Sequence, residues 1–285
     1  MAVVDLTVAA WLAPVAGGAL PAVLFMGALA AAAGAVLLLV GRSRWTRRIL
    51  AGVGTLTVVG LACWVGANSA TADWFGHQVS HGPRDRPQVA LTFDDGPNVT
   101  ATEQIARLLD ASGAKGTFFL VGKAATRRPD IVRFLVGDGQ LVGNHSQNHD
   151  ETRWLDPRYP ELERAQHSIS EAGGVCPAWY RAPHGQHTPF TAHVVADAGM
   201  TMAGWDVSAG DWLAQDPAAL ADRVLAQVRP GSIIDLHDGL DGDVTTDRTV
   251  LVRALPLILA GLQRKGLEPV RLDELLGGRA YLPSC

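Results

Sequence analysis

Nineteen consecutive apolar residues at positions 22–40 (AVLFMGALAAAAGAVLLLV) restrict what this chain can become. A charge-free run of that length matches the roughly 20 residues of a bilayer-spanning helix. Arg42, Arg44, Arg47 and Arg48 follow at once, and a second apolar run covers residues 49–67. The pattern predicts a transmembrane hairpin within residues 1–70, with helices over about 22–40 and 49–67 and a basic loop at 41–48. Arginines in a short loop stay on the cytoplasmic side, so everything after the second run is expected outside the cytoplasmic membrane. A buried hairpin of a soluble protein is the plainer alternative, but two such runs around a basic loop disfavour it. A cleavable secretory signal is another, since Arg47, Arg48, the apolar run and the small residues Ala70 and Ala72 imitate its regions. Its distance from Met1 disfavours it, and cleavage would change the anchoring but not the compartment.

Composition agrees with this division. The 285 residues leave room for one ordinary domain beside the apolar segment. A mean hydropathy of +0.13 is high for a chain with 18% charged residues, which places the excess of apolar residues at the N-terminus. With 24 Lys and Arg against 28 Asp and Glu, the chain has no basic surplus, and nucleic acid is excluded as a partner. Of three cysteines, Cys63 lies inside the second apolar run. Cys176 and Cys285 can form one disulfide or remain free, a choice that geometry makes. Their spacing fits no zinc-thiolate motif.

Residues 71–87 mix Gly, Pro, His and charge without periodicity and read as a tether. From Gln88 onward, strand-like and helix-like segments alternate: QVALTF, then EQIARLLDAS; GTFFLVG, then IVRFLVGDG; QLVGNH, then ELERAQHSISEAGG. AWYRAP, MTMAGWDV, GSIIDLH and LEPVRL continue as strands, separated by helical stretches around His193, Leu220 and Leu255. Such alternation predicts an α/β domain with a mostly parallel sheet, either open and doubly wound or closed as a barrel. Both architectures place reactive groups at the carboxyl ends of strands.

Polar residues gather at those ends. QVALTF runs into Asp94, Asp95, Gly96 and Pro97. Neighbouring strand residues point to opposite faces, so both carboxylates enter one site only if the strand stops there. Two close carboxylates resist joint ionisation unless a cation or donors offset their repulsion; the alternative is an Asp-rich turn. His145 and His149 follow QLVGN, and a helical segment would put both imidazoles on one face. Alone they read as surface histidines. With Asp95 they make a two-His, one-carboxylate set that leaves coordination positions open for water and substrate. Arg181 and His184 follow AWY, Asp211 and Trp212 end WDVSAGDW, and Leu236, His237 and Asp238 end GSIIDLH.

The ordered strings TFDDGP, HSQNH, RAPHG, GDW and DLHDG resemble the polysaccharide deacetylase family, the NodB-homology domain of carbohydrate esterase family 4. The resemblance covers residues 88–276 and leaves 277–285 as a tail. It implies a distorted (β/α) barrel, with Asp95, His145 and His149 as ligands of a divalent metal, Zn²⁺ or an ion such as Co²⁺. It further implies Asp94 as general base, His237 as general acid, Arg181 holding Asp94 ionised, and Asp211 paired with His237. Trp212 and Leu236 would line the pocket for the acetyl methyl, and a backbone N–H near His184 would stabilise the oxyanion. The implied substrate is an N-acetylated polysaccharide or oligosaccharide of the N-acetylglucosamine type. An acetyl ester hydrolase on the same site and an inactive membrane-bound glycan-binding protein are the alternatives. Two positions depart from the family pattern. His184 stands where an aromatic such as Tyr is usual, and Asp235 stands in a strand that normally stays apolar.

Overall fold

A computed structural model describes residues 43–150 and 152–285. The chain divides into two units between Val65 and Gly66. In the first, the described residues form one helix, α1 (Arg44–Ala67), whose last two residues belong to the second unit. With a mean hydropathy of 1.9 over 18 residues and almost no buried surface, α1 is long and apolar enough to cross a bilayer. It starts earlier than the apolar pattern alone implies. Ser43 Oγ accepts the Thr46 N–H at 3.1 Å and caps the helix, and arginine is a good helix former. Arg44, Arg47 and Arg48 are therefore in helix rather than in a loop. The expected span over 22–40 lies outside the described residues.

The second unit is built on a parallel sheet of nine strands: β1 (Gln78–Val79), β2 (Gln88–Asp94), β3 (Thr117–Leu120), β4 (Leu141–Asn144), β5 (Trp179–Tyr180), β6 (Thr201–Ala203), β7 (Val207–Ser208), β8 (Ile233–His237) and β9 (Glu268–Val270). Their order is β1-β6-β5-β4-β3-β2-β8-β7, and β9 also pairs with the start of β2. Eight helices accompany them: α2 (Thr102–Ala111), α3 (Gly122–Arg127), α4 (Pro129–Gly137), α5 (Glu161–Gly173), α6 (Pro189–Asp197), α7 (Pro217–Gln227), α8 (Thr249–Arg264) and α9 (Leu272–Leu276). The expected alternation is present, and α5 stops at Gly174, which adopts φ 70° as a helix-ending glycine should.

Strand alternation sorts the side chains into two layers. Val89, Leu91 and Phe93 of β2 join Leu236 of β8 and the apolar faces of α2, α7 and α8 in the outer layer. Ala90, Phe119, Leu141, Trp179, Ala203 and Ile233 come from six different strands yet meet in one inner cluster. Only a curled sheet lets them do so. The curl does not close into a full barrel, because β1 and β7 end the sheet without pairing with each other. The result is an open half-barrel.

The segment over 71–87, expected as a tether, contributes to this sheet. β1 pairs with β6, His81 bridges Ser232, and Arg84 reaches Asp206 at 2.7 Å. A two-residue strand lies below the length at which periodicity is visible, which is why the sequence reads as irregular there. The tail is likewise secured. Leu282 N–H donates to Cys176 O at 2.8 Å, and Cys176 and Cys285 form a disulfide with Cα atoms 5.4 Å apart.

Candidate active site

The carboxyl ends of β2, β4, β5 and β8 converge on a group of buried charged residues. β2 ends at Asp94, and Asp95 then takes φ 74°, breaking the pleat that would have sent its side chain to the opposite face. Both carboxylates are 2% exposed. The turn is possible because Gly96 and Gly239 lack side chains: a Cβ on Gly96 would strike the Asp238 carboxylate, and one on Gly239 would strike the Asp95 backbone.

His145 and His149 meet, but not on a helix. Asn144 Oδ1 accepts the Ser146 N–H at 2.9 Å, Ser146 Oγ accepts the His149 N–H at 3.1 Å, and Ser146 and His149 have φ 67° and 56°. This turn puts the two rings 4.9 Å apart. The i, i+4 spacing indicated the pairing correctly for a conformation the chain does not use. Among the described residues, six other than glycine have positive φ, and five of them (Asp95, Ser146, His149, His184, Asp241) surround this site. Left-handed backbone costs about 1–2 kcal/mol per residue, so such clustering is the strain expected where function fixes the geometry.

The chemistry of Asp95, His145 and His149 fits a divalent cation. Their ligand atoms lie within 4.8 Å of one another. Asp95 Oδ1 is buried without a hydrogen bond, 3.5 Å from His145 Nε2 and 3.2 Å from His149 Nε2. His145 Nδ1 lies 2.9 Å from the Arg181 carbonyl. A carbonyl only accepts, so Nδ1 carries the proton and Nε2 turns a lone pair toward Asp95. Burial also pushes His145 well below its ordinary pKa, which keeps the ring neutral. An orphaned carboxylate oxygen facing two imidazole nitrogens is a costly arrangement without a cation and a suitable one with it.

Asp94 faces the same point, 3.7 Å from His145 Nε2. Its other side is held by Arg181, which has no exposed surface. Arg181 Nη1 donates to Asp94 Oδ1 at 2.8 Å and to Thr92 Oγ1 at 2.7 Å, while Nε and Nη2 donate to the carbonyls of Ala203 and Gly204. Phe119 lies under the guanidinium at 4.3 Å. Burial pushes the Asp94 pKa up to about 8, against the downward pull of Arg181, so the carboxyl is poised to exchange a proton near neutrality.

On β8, His237 Nδ1 contacts Asp211 Oδ1 at 2.9 Å, and the His237 backbone N–H donates to Asp211 Oδ2 at 3.0 Å. Burial alone would lower the His237 pKa, but the Asp211 and Asp235 carboxylates outweigh it and hold it well above the ordinary value. The Trp212 ring stands edge-on to His237 at 4.9 Å, and His184 lies 4.6 Å from the ring of His149.

Leu236 does not line this site. It is fully buried in the outer layer, because alternation along β8 sends Asp235 and His237 inward and Leu236 outward. The inward place belongs to Asp235, 3.5 Å from Arg181 and accepting a hydrogen bond from Ser208 Oγ at 3.2 Å. Two further residues carried no sequence signal. Arg248 donates from Nε to the His237 carbonyl at 2.8 Å and from Nη2 to Asp211. Asp241 reaches His149 Nδ1 at 2.9 Å. Both lie in the loop after β8, where no periodicity marks them.

Fold and site together define a hydrolase-like centre on a curled parallel sheet, and comparison with known proteins gives its family. A family model described as polysaccharide deacetylase matches residues 81–203. A chitooligosaccharide deacetylase of Bradyrhizobium sp. (strain ANU 289) is 34% identical over 196 residues, 66% of this chain and 90% of that protein. A peptidoglycan-N-acetylglucosamine deacetylase of Bacillus cereus is 29% identical over 68% of this chain and 70% of the relative. The crystal structure of the Bc1960 peptidoglycan N-acetylglucosamine deacetylase superposes with a TM-score of 0.65 at 25% identity, covering 72% of this chain and 95% of that one. The chain belongs to the polysaccharide deacetylase family. By that membership it is a hydrolase of the N-deacetylase kind.

Proposed function

We propose that this chain is a metal-dependent deacetylase that removes acetyl groups from N-acetylglucosamine units of a cell-wall or other extracellular glycan. The observation that carries the metal is the orphaned Asp95 Oδ1 facing the Nε2 atoms of His145 and His149. Asp95, His145 and His149 would hold a divalent ion, Zn²⁺ or Co²⁺ by their chemistry, which would supply Lewis-acid polarisation of the acetyl carbonyl and a more acidic water. The protein's own residues handle the protons. Asp94, oriented by Arg181, accepts one from the attacking water as the carbon–oxygen bond forms. His237, kept cationic by Asp211, donates one to the nitrogen as the carbon–nitrogen bond breaks. Acetate and a free amino sugar result. Trp212 and His184 border the substrate, and a backbone N–H of the loop carrying His184 would share the oxyanion charge.

The substrate classes of the similar proteins support an amino-sugar glycan. Two features support action outside the cytoplasmic membrane: the Cys176–Cys285 disulfide belongs in an oxidising compartment, and α1 is long enough to anchor the domain. Acetate release tests the reading, measured on full-length protein with acetylated chitooligosaccharide or peptidoglycan, with Zn²⁺ or Co²⁺ and with chelator. Release should require the ion and fall about 10²- to 10⁴-fold in Asp94→Asn, the usual worth of a positioned proton-transfer group. Folded, ion-loaded protein that binds glycan but frees no acetate would show a binding protein instead, and release from acetyl esters alone would show an esterase.

A further inference from the structure

His149 offers two nitrogens to two different surroundings. Nε2 faces Asp95, whereas Nδ1 lies 2.9 Å from Asp241 Oδ1. We propose that Asp241 is a positioning residue for the metal, taking the Nδ1 proton of His149 as a hydrogen bond and so fixing the ring with its Nε2 lone pair toward Asp95 and His145. The inference rests on the reading of Asp95, His145 and His149 as the metal ligands.

The need for such a partner follows from the rest of the site. His145 has its tautomer set by the Arg181 carbonyl. His149 has no backbone carbonyl at Nδ1, and that nitrogen is buried without a well-directed hydrogen bond even though Asp241 is close. The Asp241 side chain is 62% exposed and can turn to align with it. A carboxylate only accepts, so contact with Asp241 leaves the proton on Nδ1 and strengthens Nε2 as a donor to a cation.

The backbone holds Asp241 at this place. Asp241 has φ 49°, and a turn closed by the Asp243 N–H on Leu240 O at 2.8 Å carries it. The turn packs against the strand ends through two glycines: a Cβ on Gly239 would collide with the Asp95 backbone, and one on Gly242 would meet Val121 and Lys123. Val244 O accepts the Val99 N–H at 2.8 Å and ties the loop to the segment after β2. The ring of His184 stands edge-on to His149 at an interplanar angle of 66°, and His149, His184 and Asp241 each bring a side-chain nitrogen or oxygen within 4.8 Å of the others.

Metal affinity is the direct test, measured on the full chain in detergent by competing apo-protein against a chromophoric chelator for Zn²⁺, with the Co²⁺ absorption spectrum alongside. Asp241→Gly and Asp241→Asn both tolerate the left-handed backbone and both remove the negative charge. Asp241→Gly should weaken Zn²⁺ binding about 10- to 100-fold. Asp241→Asn, which keeps an acceptor oxygen, should lose less, and the Co²⁺ spectrum should change in both while the thermal midpoint of the apo-protein does not. Wild-type affinity and spectrum in both variants would overturn the proposal. So would a loss confined to a variant whose apo-protein is also destabilised. Wild-type protein that binds no ion, or binds it equally well as His145→Ala, would overturn the metal reading itself, and that result is distinct from the others.

Discussion

Asp94 and His237 lie in the same buried site, and each has its pKa raised, Asp94 by burial and His237 by the carboxylates around it. Burial raises Asp94 to about 8, and Arg181 at 2.8 Å limits the rise. His237 is raised because Asp211 and Asp235 outweigh its own burial. A base must be ionised and an acid protonated, so activity should climb as Asp94 loses its proton and decline as His237 loses its own. Asp211→Asn removes the charge in contact with His237, and an opposite charge at that distance is worth about 1–3 pH units. The alkaline limb of the kcat/KM profile should therefore move to lower pH by about one unit or more while the acidic limb stays. An unmoved alkaline limb would mean that another group donates the proton. Arg248 bears on the same pair: it neutralises Asp211 from the side away from the imidazole and holds the His237 carbonyl.

At the scale of elements, the strand ends decide which side chains meet. The two-residue period of β8 made Asp235 rather than Leu236 the inward residue, a fact available from the position of His237 two places on. His145 and His149 could be paired on paper by helical spacing, yet a turn of two left-handed residues brings them together. The disulfide ties the start of β5 to the end of the chain across 109 residues. Closing a loop of that size stabilises a fold by about 2–5 kcal/mol, with the mechanism dependent on the model chosen. Cys285→Ser should lower the denaturation midpoint by a corresponding amount while acetate release at low temperature persists, since neither cysteine approaches the charged cluster. An unchanged midpoint in urea would show that the tail is held by its hydrogen bonds alone.

For the molecule as a whole, the catalytic unit begins at Gly66 rather than at Gln88. A fragment starting at Gln88 loses β1, with its nearly buried Gln78, and the Arg84–Asp206 ion pair. It should be less stable by about 2–4 kcal/mol, in the range of substitutions that break buried networks, than one spanning Gly66–Cys285. Equal urea midpoints for the two fragments would return the segment to the status of a tether. The apolar run of α1, the alternation of strand and helix, and the pairing of acidic and imidazole groups with strand ends were legible in the sequence, because each depends on neighbours a few residues apart. The curl of the sheet, its lack of closure, the enlistment of residues 78–84, and the approach of Arg248 and Asp241 were decided only in three dimensions. They join segments tens to more than a hundred residues apart, and no local pattern records which distant segments the chain will bring together.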